Sequence, residues 1–459
     1  MIKNILRVLA SNIVVLGTSF INTLVIPKLL SIEGYAEYQT FMLYVSYVGL
    51  MTLGFHSGLF IKYSGKQRDQ IDKKQYKSEI RLTIYSQILI TMIVLVVAAV
   101  FKNKLLFYMA LCILSINFVS VYKYLYQAWN QFRTFSVISI FQSLGVSGVV
   151  LVLGLLKGQL TTAEDIIYLY LLVNFLSFIP VYFSYKKETK GIKSNRIFTE
   201  ENLRIFKIGF LLMLGGGINV VFNSVDKFYI KGLFSDYEFS MYCFGITLLN
   251  VMHVFISAIA QPMYLQLSMD IDNVKKRKEY KELLFCFGAL SGCAYYAVAI
   301  IVRYFIPNYI GSLSVVSVLF AIFPAVAVIN CLYVNLYKAT NQVKRYIRTL
   351  IVVTVCSIVF NGIGILIYRN YMSIVVATTV CYYVWLIYSS RHFEGLELTK
   401  RDLGFLAGFF VIFFGFTGMS NAFIGFVVYL VLILLWEALI YRERFRTLLS
   451  LVKNILKKE

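Results

Sequence analysis

Tyr126-Gln127-Ala128-Trp129-Asn130-Gln131-Phe132-Arg133-Thr134-Phe135 returns 211 residues later as Tyr337-Lys338-Ala339-Thr340-Asn341-Gln342-Val343-Lys344-Arg345-Tyr346. The shared frame is Tyr-x-Ala-x-Asn-Gln-x-basic-x-aromatic, and each copy closes one apolar run and opens the next. A second echo lies upstream. Leu29-Leu30-Ser31 with Tyr35-Ala36-Glu37-Tyr38 matches Leu233-Phe234-Ser235 with Phe239-Ser240-Met241-Tyr242 at an offset of 204. The same offset pairs Tyr76-Lys77 with Tyr280-Lys281 and Phe101 with Phe305, and it grows by seven in the loop after Phe305. Internal repetition at long period marks a duplicated architecture. One ancestral half is written twice, with a short insertion in the second copy.

The chain is 59% hydrophobic and only 15% charged, where soluble domains carry roughly 25% charged residues. Apolar runs of about 20 residues recur along its length, each able to cross a hydrocarbon core of ~30 Å. These features indicate a polytopic membrane protein. The net charge of +21 lies in short loops between spans, where membrane topology accounts for it better than nucleic-acid binding does. The seven cysteines sit inside apolar runs without a CxxC pair and read as small buried hydrophobes. The start, Met1-Ile2-Lys3-Asn4-Ile5-Leu6-Arg7, is like a signal-peptide n-region, but no small-x-small cleavage site follows, so it reads as an uncleaved first span.

Fourteen spans are expected, near 8–27, 38–61, 82–101, 105–128, 135–156, 166–185, 205–225, 236–262, 283–305, 313–335, 349–368, 371–390, 403–419 and 422–441. With the N-terminus inside, 35 of the 44 Lys and Arg fall in inside segments and eight at outside ends, which places both termini in the cytoplasm. The expected fold is all-α. Residues 1–185 form an N-terminal six-helix half, 186–204 a basic cytoplasmic linker and 205–390 a C-terminal six-helix half. Residues 391–441 add two helices, and 442–459 form an amphipathic cytoplasmic tail. An even number of spans per half gives parallel repeats, related by a pseudo-twofold along the membrane normal. Outside loops of no more than roughly ten residues leave no room for a catalytic or receptor domain, so function lies between the helices.

Motifs for nucleotide binding, serine hydrolysis or zinc proteolysis are absent, and no metal-ligand spacing occurs. No cofactor or metal is expected, nor is an enzyme. Ionisable residues within or beside spans are informative, because burying one costs several kcal/mol unless it is paired or wetted. Lys123 lies in the fourth span, three residues before the repeated motif; it reads either as snorkelling to the inner interface or as facing a lumen. Asp226, Lys227 and Lys231 end the seventh span, and Lys28 ends the first. Either they form an interfacial rim or they ring a cavity, with Asp226 setting the charge of its neighbour. His56 and His253 read as hydrogen-bonded within spans, with proton coupling the alternative, and His392 as solvated in a loop. Gly215-Gly216-Gly217 interrupts the seventh span; at ~1 kcal/mol per glycine, the run marks a hinge or a close helix contact.

Two six-helix halves, short loops and an inside start resemble the MOP superfamily, which includes MATE exporters, lipid II flippases and Wzx-type polysaccharide flippases. Val225-Asp226-Lys227-Phe228-Tyr229-Ile230, then Leu233-Phe234-Ser235 and Tyr242, are similar to the O-antigen and capsule flippase pattern at spans seven and eight. The resemblance covers roughly residues 1–390. It implies a monomer in a bacterial cytoplasmic (inner) membrane, moving undecaprenyl-pyrophosphate-linked oligosaccharide to the outer leaflet by alternating access. It also implies drive by a proton or sodium ion, as in an antiporter. A pyrophosphate in a low-dielectric lumen needs cationic partners, for which Lys28, Lys123, Lys227 and Lys231 are the candidates. Asp226 and His56 are the candidates for coupling. The alternatives are a lipid II flippase and a MATE-type multidrug exporter; the MATE type binds cations and carries an acidic residue in its first span, whereas Val8–Pro27 here has none.

Overall fold

Both copies of the repeated motif make the same turn. The computed structural model describes residues 2–443 apart from Gln67, Asp69, Gln70, Gln159, Leu160 and Ser420, with no account of the side chains of 2–13 and Gln261. In the first copy the Gln131 N–H donates to the Tyr126 carbonyl at 2.7 Å and the Asn130 N–H to Gln127 at 3.0 Å. In the second, Gln342 donates to Tyr337 at 2.8 Å and Asn341 to Lys338 at 3.2 Å. These paired bonds form the Schellman closure of a helix. It requires a left-handed residue, and Asn130 and Asn341 supply φ values of 57° and 54°, a region asparagine tolerates. The glutamine that follows is the N-cap position of the next helix in each copy.

Contacts divide the chain into two compact units, 1–224 and 225–459. The first holds α1 (Ile2–Leu29), α2 (Ile32–Val45), α3 (Phe55–Tyr63), α4 (Lys73–Val100), α5 (Lys104–Ala128), α6 (Phe132–Leu156), α7 (Ala163–Glu188) and α8 (Glu200–Phe222). The second holds α9 (Val225–Leu233), α10 (Asp236–Met269), α11 (Val274–Ser291), α12 (Ala294–Phe305), α13 (Ser312–Phe320), α14 (Phe323–Val328), α15 (Val334–Ala339), α16 (Val343–Ile367), α17 (Tyr371–Ser390), α18 (Lys400–Thr417) and α19 (Ala422–Ile440). No strand occurs among the described residues. The unit boundary follows α8, so this helix packs with the spans before it, notably α3. The expected tail falls, beyond Glu443, outside the described residues.

Among the described residues, ten helices are long and apolar enough to cross a membrane, twelve if each of two bent pairs is one span. The expected fourteen is compatible with this. The remaining two are α1, whose described apolar part is Val14–Leu29, and α18, whose first turn carries Lys400, Arg401 and Asp402. The first bent pair turns by 50° between α2 with its 3₁₀ extension and α3, through Leu53 and Gly54, both left-handed. The second turns by 47° before α14, where Pro324 sits in the first turn. Pro180 and Pro262 lie inside unbroken helices. The chain is a multi-pass membrane protein.

In the first unit α5 is central and packs against α2, α3, α4, α6 and α7. Phe118, Tyr122, Leu125 and Tyr126 on it are buried against Tyr76, Ile80, Val181 and Tyr185. The repeated Tyr-Lys pairs act alike in the two units. Lys77 Nζ donates to the carbonyls of Thr189 (3.1 Å) and Ile192 (2.8 Å). Lys281 Nζ donates to the Glu397 carbonyl at 2.9 Å and to Asp402 Oδ2 at 2.7 Å. Each lysine thus fixes the segment that follows the sixth span of its own copy. The next helices, α8 and α18, are capped by Thr199 and Thr399, whose hydroxyls accept from the Asn202 and Asp402 amides at 3.2 Å. His392, expected in solvent, is half-buried with Nδ1 2.5 Å from the hydroxyl of the motif's Tyr337.

The tightest approach in the first unit is made by glycine. A Cβ on Gly54 would lie 2.2 Å from the Gly209 carbonyl oxygen, and one on Gly58 2.3 Å from that of Ile205. Gly54 and Gly58 are four apart on the same face, the small-xxx-small arrangement that lets membrane helices meet backbone to backbone. A larger residue here must push α3 from α8. Gly209→Val is expected to lower stability by about 2 kcal/mol or more. Gly216→Ala, whose Cβ meets nothing within 4 Å, is expected to raise it by up to ~1 kcal/mol. Thermal unfolding of both purified variants checks this.

Asp402 lies at the start of α18, outside the apolar run. Burial pushes its carboxyl up, but Lys281, the Tyr441 hydroxyl (2.5 Å) and the Thr399 amide bring it below the usual carboxylate range. A depressed carboxylate contributes stability above its unfolded value, and the contribution is lost as pH falls through the lower folded value. Asp402→Asn is therefore expected to cost about 3 kcal/mol at pH 7. Its deficit against the wild type should shrink below about pH 4, as read by unfolding midpoints across pH.

Candidate functional site

In the second unit, four helices converge on one carboxylate. Asp226 is the second residue of α9 and is 5% exposed. Its Oδ1 accepts from Asn361 Nδ2 of α16 at 2.6 Å. Its Oδ2 accepts from the Tyr242 hydroxyl of α10 at 2.9 Å and lies 2.7 Å from Thr378 Oγ1 of α17. The Thr378 hydroxyl is also 2.9 Å from its own helix at Ile374 O, so its single proton serves one acceptor at a time. Every donor is neutral. Among the described residues the amide oxygen of fully buried Asn361 has no partner, a costly state in a dry interior. One carboxylate among amide and hydroxyl oxygens suits a proton or a hard monovalent cation, since hard ions take oxygen ligands. Among the described residues no group of three His, Cys, Asp or Glu could hold a metal ion.

Lys227 and Lys231 share α9 with Asp226 but differ in state. Lys227 is half-buried, its charge acts on Asp226, and it makes no hydrogen bond or ion pair among the described residues. Lys231 is paired with Asp236 at 2.5 Å and stands 5.4 Å above the Phe239 ring.

In the first unit, Lys123 turns inward from α5 to α6. It is half-buried, with Nζ 3.4 Å from Gln142 Oε1 and 5.6 Å from the centre of the Phe135 ring. Gln142 Nε2 in turn donates to Asn174 Oδ1 at 3.4 Å. No carboxylate pairs with Lys123 among the described residues. Ser136, Ser139 and Ser147 are buried on the same helix as Gln142. Ser147 donates to the Thr18 carbonyl at 3.4 Å, and Ser143 bonds the Thr18 hydroxyl. The unit therefore carries a polar seam with one cation and no acid.

The other candidates make no bond to Lys123 or Asp226 among the described residues. Lys28 is exposed at the end of α1. Its neighbour Leu29 covers Gly154, roughly 18 Å along α6 from Gln142 at ~1.5 Å per residue. His56 Nδ1 is 2.6 Å from Thr52 Oγ1, and its ring centre is 4.6 Å from that of Tyr124. Gly215, Gly216 and Gly217 lie within α8, which runs unbroken through them.

Asn361, Thr378 and the α6 seam escaped the sequence reading. The seam had a signal, since Ser136, Ser139, Gln142, Ser143 and Ser147 recur at helical spacing. Asn361 and Thr378 had none, being uncharged residues whose partner lies far away in sequence.

No family model matches the sequence, and no curated protein matches it either. Solved structures do match. "Lipid II flippase MurJ, inward closed conformation" aligns with a TM-score of 0.68 at 15% identity, covering 96% of this chain and 99% of that one. An inward-facing multidrug resistance MATE family transporter of the MOP superfamily aligns with a TM-score of 0.55 at 12% identity, covering 83% and 94%. At these identities the likeness concerns architecture. The chain has the all-helical membrane fold shared by MurJ and the MATE transporters.

Proposed function

We propose that this protein is a flippase, moving undecaprenyl-pyrophosphate-linked oligosaccharide from the inner to the outer leaflet for polysaccharide synthesis. The transport is alternating access driven by a proton or sodium ion. The observation that carries the reading is Lys123, an unpaired cation set in a polar, acid-free seam within a membrane unit. Such a group is costly unless a mobile anion visits it, and a pyrophosphate on a lipid carrier is such an anion. Lys227 is its counterpart in the second unit, and Lys231 and Lys28 serve at the rim. Asp226 is the coupling residue, because its four-helix cradle of neutral donors lets a proton or cation come and go without breaking an ion pair. His56 is the second coupling candidate.

A second reading has its own support. The MurJ alignment spans nearly the whole of both chains, which favours lipid II as the cargo. A multidrug substrate is less well served, since drug cations would meet Lys123 without a compensating acid.

Complementation separates these. The gene is expressed in a strain lacking its polysaccharide flippase but making the matching oligosaccharide, and in a strain depleted of its lipid II flippase. Restored surface polysaccharide in the first supports the proposal, and rescue of only the second supports lipid II. Lys123→Ala and Lys227→Ala are each expected to reduce restoration tenfold or more at normal membrane levels, since a charge-assisted hydrogen bond contributes ~1.5–3 kcal/mol. Full restoration by both alanine variants would remove the site assignment and leave the function.

Asp226→Asn tests coupling. In vesicles it is expected to abolish the stimulation of flipping by an imposed proton or sodium gradient. Retained stimulation would move the coupling role to His56.

A further inference from the structure

The first unit carries a groove lined by none of the residues assigned to cargo above. It lies between α4 and α7, with a volume of about 850 Å³, and is lined by Lys77, Arg81, Lys186, Lys187 and Lys190 without a carboxylate. Glu188 is engaged elsewhere, with Arg68 and the Ser184 hydroxyl. The five cations are held in different ways. Lys77 bonds the two carbonyls already described. Arg81 donates to the Tyr85 hydroxyl at 3.1 Å, and Lys186 lies 5.5 Å over the Tyr182 ring. Lys187 and Lys190 are exposed and make no hydrogen bond or ion pair among the described residues. Like charges gathered at this density repel one another unless an anion joins them.

The groove continues into an apolar strip. Tyr85, Leu89, Met92 and Val96 follow Arg81 along one face of α4, and all four are exposed by 48% or more. Phe183 on the facing helix is 67% exposed. A soluble phosphate would use the cations and gain nothing from this strip. A molecule with a phosphate head and apolar tails uses both, as basic pockets between membrane helices do.

We propose that this groove binds an anionic glycerophospholipid of the basic-rich leaflet, with its phosphate among Arg81, Lys186, Lys187 and Lys190 and its acyl chains along α4. Neither Lys123 nor Asp226, nor any residue bonded to them, lines the groove, and the proposal does not depend on what the cargo is.

The test uses the full-length protein in nanodiscs of phosphatidylcholine with increasing phosphatidylglycerol, read by retained lipid in native mass spectrometry. The wild type is expected to retain phosphatidylglycerol in preference to phosphatidylcholine. At about a factor of five per basic residue, Arg81→Gln/Lys186→Gln/Lys190→Gln is expected to weaken retention roughly a hundredfold. Lys74→Gln/Lys193→Gln/Arg196→Gln removes equal charge outside the groove and is expected to change it less than threefold. Equal loss in both variants would mean diffuse charge attraction and overturn the proposal, as would equal retention of the two lipids. Displacement of the lipid by inorganic phosphate at equal concentration would overturn the lipid assignment. If the groove variant unfolds, Lys190→Glu alone, at an exposed and unpartnered position, is expected to lower retention at least fivefold, and unchanged retention there would overturn the site.

Discussion

A helix inside a membrane must find partners for its last carbonyls from its own chain, because the surroundings offer none. Much of this fold follows from how that demand is met at two places. The Asn130 and Asn341 turns return amide protons to carbonyls one turn back, so the last turns of α5 and α15 close on their own chain. The next helix then starts at the following glutamine. That closure fixes where the chain reverses in each unit. The aromatic surroundings depend on it too: Tyr126 packs beside Tyr122 and Trp129, and Tyr337 beside Phe393 and His392.

Lysine supplies the second constraint. Lys77 and Lys281 each reach backbone carbonyls of the segment after the sixth span, but their surroundings have diverged. Lys77 meets carbonyls alone, whereas Lys281 also meets a buried carboxylate. Duplication kept the position of the ammonium group and let its counter-charge change. A contrast also separates one polar cluster in each unit: the seam around Lys123 has no acid, although buried Glu79 lies elsewhere in that unit against Lys62, whereas Asp226 is held by neutral donors.

Much of the fold was legible in the sequence. The Tyr-x-Ala-x-Asn-Gln frame and the apolar run lengths lead to helices that the structure contains. Lys123 and Asp226 stand out in the sequence because an ionisable residue in an apolar run demands an explanation. Their surroundings do not. Asn361 and Thr378 meet Asp226 only after the chain has crossed the membrane several more times. The glycines teach the same lesson from the other side. The run Gly215-Gly216-Gly217 draws the eye, yet α8 passes through it unbroken. The close approach belongs to Gly54, Gly58 and Gly209, two of which stand at a spacing that only acquires meaning once α8 lies across them.

The exposed strip of α4 also records the bilayer this protein fits. Arg81 and Lys102 bracket it, and at ~1.5 Å per residue they stand about 31 Å apart along the axis. That distance is close to a typical hydrocarbon thickness of ~30 Å, so the strip is long enough to cross such a core with neither charge inside it. α10, at 34 residues, is about 51 Å long and must lean or project beyond it. In a thicker membrane, hydrophobic mismatch would act on this strip by drawing Arg81 inward or thinning the lipid around it, as it would on the shorter α17 and α19.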